Sequence, residues 1–159
     1  MSKAPSTNAT RLLKSRGVAY AEHLYRYEEK GGTAVSAREL GVDERAIIKT
    51  LVFEDDQKRP FLILMHGDRE VSVKELARQT GARSVQPCKP EIADKHSGYQ
   101  VGGTSPFGTR KAMPVYAEAT IFELDRIWIN GGAKGFLVSL EPSVLKDLLK
   151  ATPVQVGLA

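Results

Sequence analysis

The chain has 159 residues, 42% hydrophobic and 26% charged, the composition of one ordinary globular domain that buries a core without staples. Its one cysteine, Cys88, excludes an internal disulfide framework and a cysteine-built metal site. Lys and Arg number 23 against 19 Asp and Glu, a net charge of +4, which permits a phosphate-bearing partner without requiring one. No apolar run approaches the ~20 residues of a membrane span. The opening Met1-Ser2-Lys3-Ala4-Pro5-Ser6 lacks the apolar stretch of a secretory signal. The expected location is the cytoplasm, with no membrane partner and a monomer by default.

Residues 9–16 follow polar Ser6, Thr7 and Asn8, carry Leu12 and Leu13 and meet Gly17, which predicts a first helix with a glycine stop. Residues 18–27 alternate moderately and read as a strand. Ser36 and Glu39 have capping-box spacing, in which each side chain satisfies a free helix N–H; the helix they open must be short, because Gly41 follows. Two apolar runs, residues 47–53 and 61–66, flank a loop holding Asp55 and Asp56 and predict a hairpin. Ser72 and Glu75 repeat the capping device ahead of a helix closed by Gly81. Residues 113–117, 127–130 and 136–140 read as strands, the last two joined by a second hairpin through Gly131-Gly132-Ala133-Lys134-Gly135. Pro142 suits a first helical position, and Leu145, Leu148 and Leu149 share one face of a closing helix.

A doubly wound parallel sheet would alternate strand and helix regularly, and this order does not. Adjacent hairpins imply a mixed, largely antiparallel, barrel-like sheet with helices outside it. The expected fold class is therefore α+β, as one domain over residues 1–159, with candidate tails at 1–5 and 153–159.

Two anomalies carry the chemistry. In a strand, Ile47, Lys49, Leu51 and Phe53 share one face, so Lys49 sits among large apolar neighbours where a charge is costly unless paired or in a cleft. Either it supplies a positive charge or donor to a phosphate or carbonyl, or it snorkels to water or precedes the true strand. The second anomaly is Tyr99-Gln100-Val101-Gly102-Gly103-Thr104-Ser105-Pro106-Phe107-Gly108. Three glycines and a proline in seven residues fix a loop whose backbone either approaches a ligand closely or makes a tight connection. The spacing fits neither a Walker A loop nor a nucleophile elbow. His23, His66 and His96 are scattered without metal-like spacing, and Cys88 has no histidine partner in sequence. Arg110-Lys111 reads equally as a phosphate contact or as solvated surface. No serine–histidine–acid set emerges, so an enzyme of this sequence would work with a lysine, backbone donors and water or substrate. No cofactor and no metal are expected.

Three motifs in this order resemble the YbaK/ProX family of free-standing aminoacyl-tRNA editing domains, related to the editing insertion of bacterial prolyl-tRNA synthetase. They are Ala46-Ile47-Ile48-Lys49-Thr50-Leu51-Val52, the glycine loop from Gly98 to Gly108, and Ile129-Asn130-Gly131-Gly132-Ala133-Lys134-Gly135. The Gly-Gly-x-Ser-Pro-x-Gly form looks most like the Cys-tRNA(Pro) deacylase branch. The resemblance implies cleavage of the aminoacyl ester of a mischarged tRNA, typically tRNA(Pro), on a compact domain with a mixed barrel-like sheet. It implies Lys49 as the main functional side chain, with backbone groups of Gly102 and Gly103 polarising the ester. Tyr25, Thr50, Thr104, Ser105, Gly131 and Gly132 are implied as substrate-binding.

In the Cys-specific branch the substrate thiol attacks its own ester, so no enzyme cysteine is required. The implied partners are aminoacyl-tRNA and, in a ternary complex, prolyl-tRNA synthetase. One departure stands out: Leu137 occupies a position where relatives acting on Cys-tRNA carry an acidic or polar residue, which opens Ser-, Thr- or Ala-tRNA as alternative substrates. A tRNA-binding module without chemistry is the non-enzymatic alternative.

Overall fold

A computed structural model describes residues 3–159; Met1 and Ser2, part of the expected N-terminal tail, lie outside the described residues. Five α-helices punctuate the described residues. The first, α1 (Asn8–Ser15), starts where Thr7 and Thr10 cap one another, each hydroxyl accepting the other's backbone N–H. It buries Ala9 and Leu13 and turns Arg11 and Lys14 to solvent. The second, α2 (Gly32–Leu40), corrects the expected start at Ser36. The helix begins a turn earlier because Gly31 and Gly32 reverse the chain, and Ser36 lies inside it, donating to the carbonyl of Thr33 at 3.1 Å. Gly41 closes α2 in the left-handed conformation at φ 67°. In α3 (Val73–Thr80) Ser72 accepts the N–H of Glu75 at 3.2 Å, as its capping spacing predicts, and Gly81 ends the helix. A fourth helix, α4 (Pro90–Ser97), was not expected; only Ala93 and Ser97 are buried, which leaves little apolar periodicity to read. The last, α5 (Ser143–Leu149), has Pro142 as its cap rather than its first residue.

The strands are β1 (Ala21–Leu24), β2 (Ile47–Asp55), β3 (Pro60–His66), β4 (Glu70–Val71), β5 (Val85–Pro87), β6 (Val115–Glu118), β7 (Ile127–Ala133), β8 (Phe136–Leu140), β9 (Thr152–Val154) and β10 (Gly157–Leu158). The fold is α+β with a mixed sheet in the order β1-β8-β7-β2-β3-β6-β9, with β5 added on β2 and a separate β10–β4 pair. Both expected hairpins, β2–β3 and β7–β8, are antiparallel, while β2–β7, β3–β6 and β6–β9 run parallel. Residues 153–159, expected as a tail, instead supply β9 and β10. Val154 and Val156 are buried, and one carboxylate oxygen of Glu118 accepts the N–H groups of Val156 and Gly157, each at 2.7 Å.

Strand alternation divides the apolar side chains between two layers. Ile48, Val52, Leu62, Leu64, Ile129 and Val138 pack with Leu13 of α1 and Leu145 of α5. Phe53, Phe61, Ile63 and Met65 pack with Leu76 of α3 and Val154 and Val156. Burial of each such side chain contributes about 1.5–3 kcal/mol, so both faces of β2 and β3 are anchored and the register of Lys49 is fixed. No helix among the described residues is long and apolar enough to cross a membrane.

Candidate functional site

Lys49 lies mid-strand in β2, opposite Met65 of β3. Leu51 and Phe53, two and four residues on, belong to the layer under α3, whereas Ile48 and Val52 face the α1 layer. The ammonium reaches a partly open position, its side chain 21% exposed, with the carboxylate of Glu70 on β4 at 3.8 Å. Alternation puts Thr50 on the opposite face. Its hydroxyl oxygen is buried and has no hydrogen-bond partner among the described residues, so the sheet separates it from Lys49.

The register across the sheet fixes what stands beside that lysine. Ile47 pairs with Trp128 and Ile48 with Ile129 in the parallel β2–β7 ladder; one residue further along each strand are Lys49 and Asn130. Asn130 pairs with Leu137 of β8, which pairs with His23 of β1. Paired residues share a face, so His23, Leu137 and Asn130 form one row on neighbouring strands spaced ~4.8 Å apart, and continuing the β2–β7 register one residue past Ile48 and Ile129 adds Lys49 to its end. Leu137 is buried, an apolar element in this row.

Asn130 ties the row to the glycine loop. Its side-chain oxygen accepts the N–H groups of Gly132 and Ala133 at 2.6 and 3.1 Å, holding the bulge at this point of β7, and its amide donates to the carbonyl of Gly102 at 3.3 Å. Gly102 has φ 96°, and a methyl group there would meet the Tyr27 hydroxyl at 2.5 Å. A methyl on Gly103 would lie 2.8 Å from the backbone nitrogen of Lys134. Both glycines thus let the loop lie directly on the β7–β8 hairpin and Tyr27.

The loop also leaves donors available. The N–H of Gly103 is used by the carbonyl of Gln100 at 2.7 Å and that of Val101 by Asp94 at 2.9 Å. Among the described residues, the N–H groups of Gly102, Thr104 and Ser105 donate to no acceptor. Of these, the Gly102 N–H belongs to an exposed residue while Thr104 and Ser105 are buried, so the donor that the loop offers to an anionic oxygen is the Gly102 N–H. The hydroxyls of Thr104 and Ser105 are turned into the loop, toward the carbonyl of Gln100 and the N–H of Phe107.

Tyr25 follows β1 and donates its N–H to Gly135 at 3.0 Å. Burial raises its phenol above the ordinary value of 10.0, with Tyr27 adding to the rise and hydrogen bonds from Gly135 and Ser36 opposing it. Tyr27 is a further rim residue, with the ammonium of Lys134 5.4 Å from its ring centre and that same ammonium 3.3 Å from Glu29. Gly131 and Gly132 do not open onto this rim. Their missing side chains make room for the Phe136 ring and for Tyr99 and Thr7, respectively.

The structure therefore seats Gly102 and Gly103 on the β7–β8 hairpin, with Tyr25 bonded to the same hairpin, and places Lys49 on β2, the strand that pairs with β7. It turns Thr50 and the side chains of Thr104 and Ser105 elsewhere and packs Gly131 and Gly132 inward. Asn130 and Tyr27 join the site although the sequence reading passed over them; an Asn-Gly step at a strand end was the available signal for Asn130.

The remaining reactive groups are occupied. The thiol of Cys88 is pushed up to about 12 by burial and by the adjacent Glu54 carboxylate, so it is no nucleophile near neutrality. Buried His66 is held by the Arg45 carbonyl and the Thr120 hydroxyl, both at 2.7 Å. The His23 ring stands 2.8 Å from the Ser139 hydroxyl and 6.3 Å from the Trp128 ring centre. Among the described residues no three His, Cys, Asp or Glu side chains converge as a metal set. Surface clefts of about 460 and 380 Å3 lie against Arg16, Arg126 and Asp147 and against Phe122 and Lys146, and neither is lined by Lys49 or the glycine loop.

The aminoacyl-tRNA editing domain profile matches residues 28–148. Over 143 residues the chain is 29% identical to an Enterococcus faecalis protein named as a candidate Cys-tRNA(Pro)/Cys-tRNA(Cys) deacylase, EbsC, covering 89% of this chain and 87% of that one. Over 108 residues it is 34% identical to a proline–tRNA ligase of Nitratidesulfovibrio vulgaris, covering 68% of this chain but 18% of the ligase. The chain thus matches under a fifth of that relative's length. A crystal structure of a candidate trans-editing enzyme for prolyl tRNA synthetase superposes with a TM-score of 0.83 at 22% identity, covering 98% of this chain and 100% of that one.

Proposed function

Because the chain belongs to the aminoacyl-tRNA editing domain family, we propose that it removes the amino acid from mischarged tRNA, with Cys-tRNA(Pro) as the leading substrate. The observation that supports this reading is the Asn130 amide holding Gly102 of the glycine loop at 3.3 Å, from a strand whose register with β2, continued by one residue, reaches Lys49. The name of the Enterococcus faecalis relative supports the choice of cysteine and of tRNA(Pro).

An aminoacyl ester is already activated, so positioning and charge stabilisation suffice to cleave it. Attack on the carbonyl carbon moves its electron pair onto oxygen, and Lys49 with the Gly102 N–H stabilises that oxyanion. Collapse expels the terminal ribose oxygen, which takes up a proton. With water as nucleophile the products are the free amino acid and tRNA. With a cysteine substrate the substrate's own sulfur attacks, and a cyclic thiolactone leaves instead. Neither route calls on Cys88. The reaction belongs to the cytoplasm, and prolyl-tRNA synthetase is the natural partner for a domain with so little surface for reading tRNA.

A second substrate reading has its own observation. Leu137 is an apolar, buried member of the Lys49 row, and an apolar wall suits alanine as well as cysteine; one methylene alters selectivity only about 10–200-fold. The test is deacylation of tRNA(Pro) charged separately with Cys, Ser, Ala, Thr and Pro. Rapid loss of a non-cognate ester with Pro-tRNA(Pro) spared supports editing and names the substrate. Stability of all five esters refutes it.

A further inference from the structure

Charge is unevenly distributed around the glycine loop. Residues 1–21 and 88–117 together hold eight of the 23 Lys and Arg but two of the 19 Asp and Glu, a surplus of six. The remaining residues hold 15 cations and 17 anions. The net positive charge of the chain therefore resides in these two segments.

The segments meet in the fold. The carbonyl of Asn8 in α1 lies 2.8 Å from where a side chain on Gly108 would begin, and Arg110 packs over Gly98 at 3.2 Å on the same measure. Tyr99 donates to the carbonyl of Phe107 at 2.6 Å between them. The Arg11 charge acts on that phenol, opposing the burial that pushes Tyr99 up to about 12. Arg110 and Lys111 are fastened to the end of α4, their N–H groups donating to the carbonyls of Ser97 and His96. Arg11 and Lys14 are exposed one turn apart on α1, and Lys95, Arg110 and Lys111 are exposed beside the loop.

These cations lack acidic partners. None of the five is in an ion pair among the described residues, whereas Lys58, Arg59 and Arg78 each are. The nearby carboxylates are few. Asp94 accepts the N–H of Val101, Glu91 stands in the first turn of α4, and Glu54 acts on His96 from β2. Burial lowers His96 below its ordinary value of 6.5, and Lys111 and Lys95 lower it further. Gathering like charges without counter-ions is unfavourable for the free protein, and a polyanion relieves it.

We infer that Arg11, Lys14, Lys95, Arg110 and Lys111 form the surface that grips the phosphate backbone of the tRNA acceptor end, leading its terminal ester to the glycine loop. This rests on the editing function proposed above and extends it from the reacting ester to the polymer that carries it. Contacts of this type position without reading sequence. They make affinity salt-dependent, with a log–log slope of about −0.7 to −0.9 for each phosphate neutralised.

The test measures binding of an uncharged tRNA(Pro) transcript by fluorescence anisotropy between about 50 and 200 mM salt. Two cluster variants, Lys95→Ala/Arg110→Ala/Lys111→Ala and Arg11→Ala/Lys14→Ala, are compared with Lys58→Ala/Arg59→Ala/Arg78→Ala, which removes three cations elsewhere. Melting curves confirm that the exposed substitutions leave the fold intact. The expected result is about 10-fold or greater weakening by each cluster variant, with the salt slope flatter by about two, and little change in the control. Equal weakening by the control would make net charge, not this surface, responsible and would overturn the inference. So would wild-type binding by the cluster variants, or no tRNA binding by the native protein at low salt. Uncharged tRNA has no ester to cleave, so this readout is independent of the deacylation panel.

Discussion

Asn130 donates its side-chain amide to the carbonyl of Gly102 at 3.3 Å, across 28 positions of sequence, while its oxygen accepts two N–H groups of its own hairpin. One residue thereby sets both the bulge of β7 and the seat of the glycine loop on the β7–β8 hairpin. Asn130→Ala removes three hydrogen bonds, which costs about 1–3 kcal/mol of stability. The expected loss in kcat/KM is about 10- to 100-fold with Lys49 in place, because a loop displaced by ~1 Å forfeits about that much. Asn130→Asp keeps the acceptor for Gly132 and Ala133 but faces the Gly102 carbonyl with a second acceptor, so it should recover stability more than rate. Thermal unfolding and deacylation kinetics on both variants separate the two effects.

Gly103→Ala tests the close approach of loop and hairpin. The added carbon would lie 2.8 Å from the Lys134 nitrogen and 2.9 Å from the Ala133 carbonyl carbon, both backbone atoms that cannot rotate away. The loop must lift. The expected outcome is a fall of about 10-fold or more in kcat/KM, read in single-turnover deacylation. Undiminished activity would mean that the loop does not hold the ester.

Cys88 should be dispensable. With its thiol at about 12, the thiolate fraction near neutrality is on the order of 10⁻⁵. Cys88→Ala is expected to keep kcat/KM within about 2-fold of the native value, and native protein should alkylate slowly in an iodoacetamide time course followed by mass spectrometry. Rapid alkylation with loss of activity would contradict this.

Stability should fall on mild acidification. Burial holds His23 below its ordinary value of 6.5, with Arg126 adding to the effect, so the fold favours the neutral ring. Below about 6.5 the unfolded chain binds the proton before the folded chain does. That contribution is therefore complete above about 6.5 and declines as pH falls toward the folded value. Hydrogen bonds from Gln86 and then Lys58 lower Glu54, whose contribution is lost further down, below about 4.5. His96 is lowered in the same way, so urea unfolding between about pH 5 and 8 should show a positive slope of stability with pH that is reduced in His23→Gln and flattens in His23→Gln/His96→Gln.

Legibility in the sequence followed the range of each interaction. The alternation of Ile47, Lys49, Leu51 and Phe53 is local, and it placed the lysine on its strand face correctly. The same alternation, applied to Thr50, points that side chain to the other face. Ser72 capped its helix as its spacing predicts, but Ser36 did not, because paired glycines at 31 and 32 start α2 earlier. The C-terminal residues resemble a tail around Pro153, yet their partners are Tyr116, Ala117 and Glu118 of β6 and Glu70 and Val71 of β4. Such distant pairing leaves no local trace. The Asn130–Gly102 bond is of this kind too, and so is the packing of Gly131 and Gly132 against Phe136 and Tyr99, which only the fold discloses.

The most direct test of the central claim is single-turnover deacylation of Cys-tRNA(Pro) by the native protein and by Lys49→Ala. The Lys49 ion pair with Glu70, a carboxylate 84% exposed, is long at 3.8 Å and contributes at most about 1 kcal/mol to stability, so the variant should fold and melt much as the native chain does. The account predicts a loss of at least about 100-fold in rate with that melting behaviour preserved. A Lys49→Ala protein that cleaves the ester as fast as the native one would contradict it.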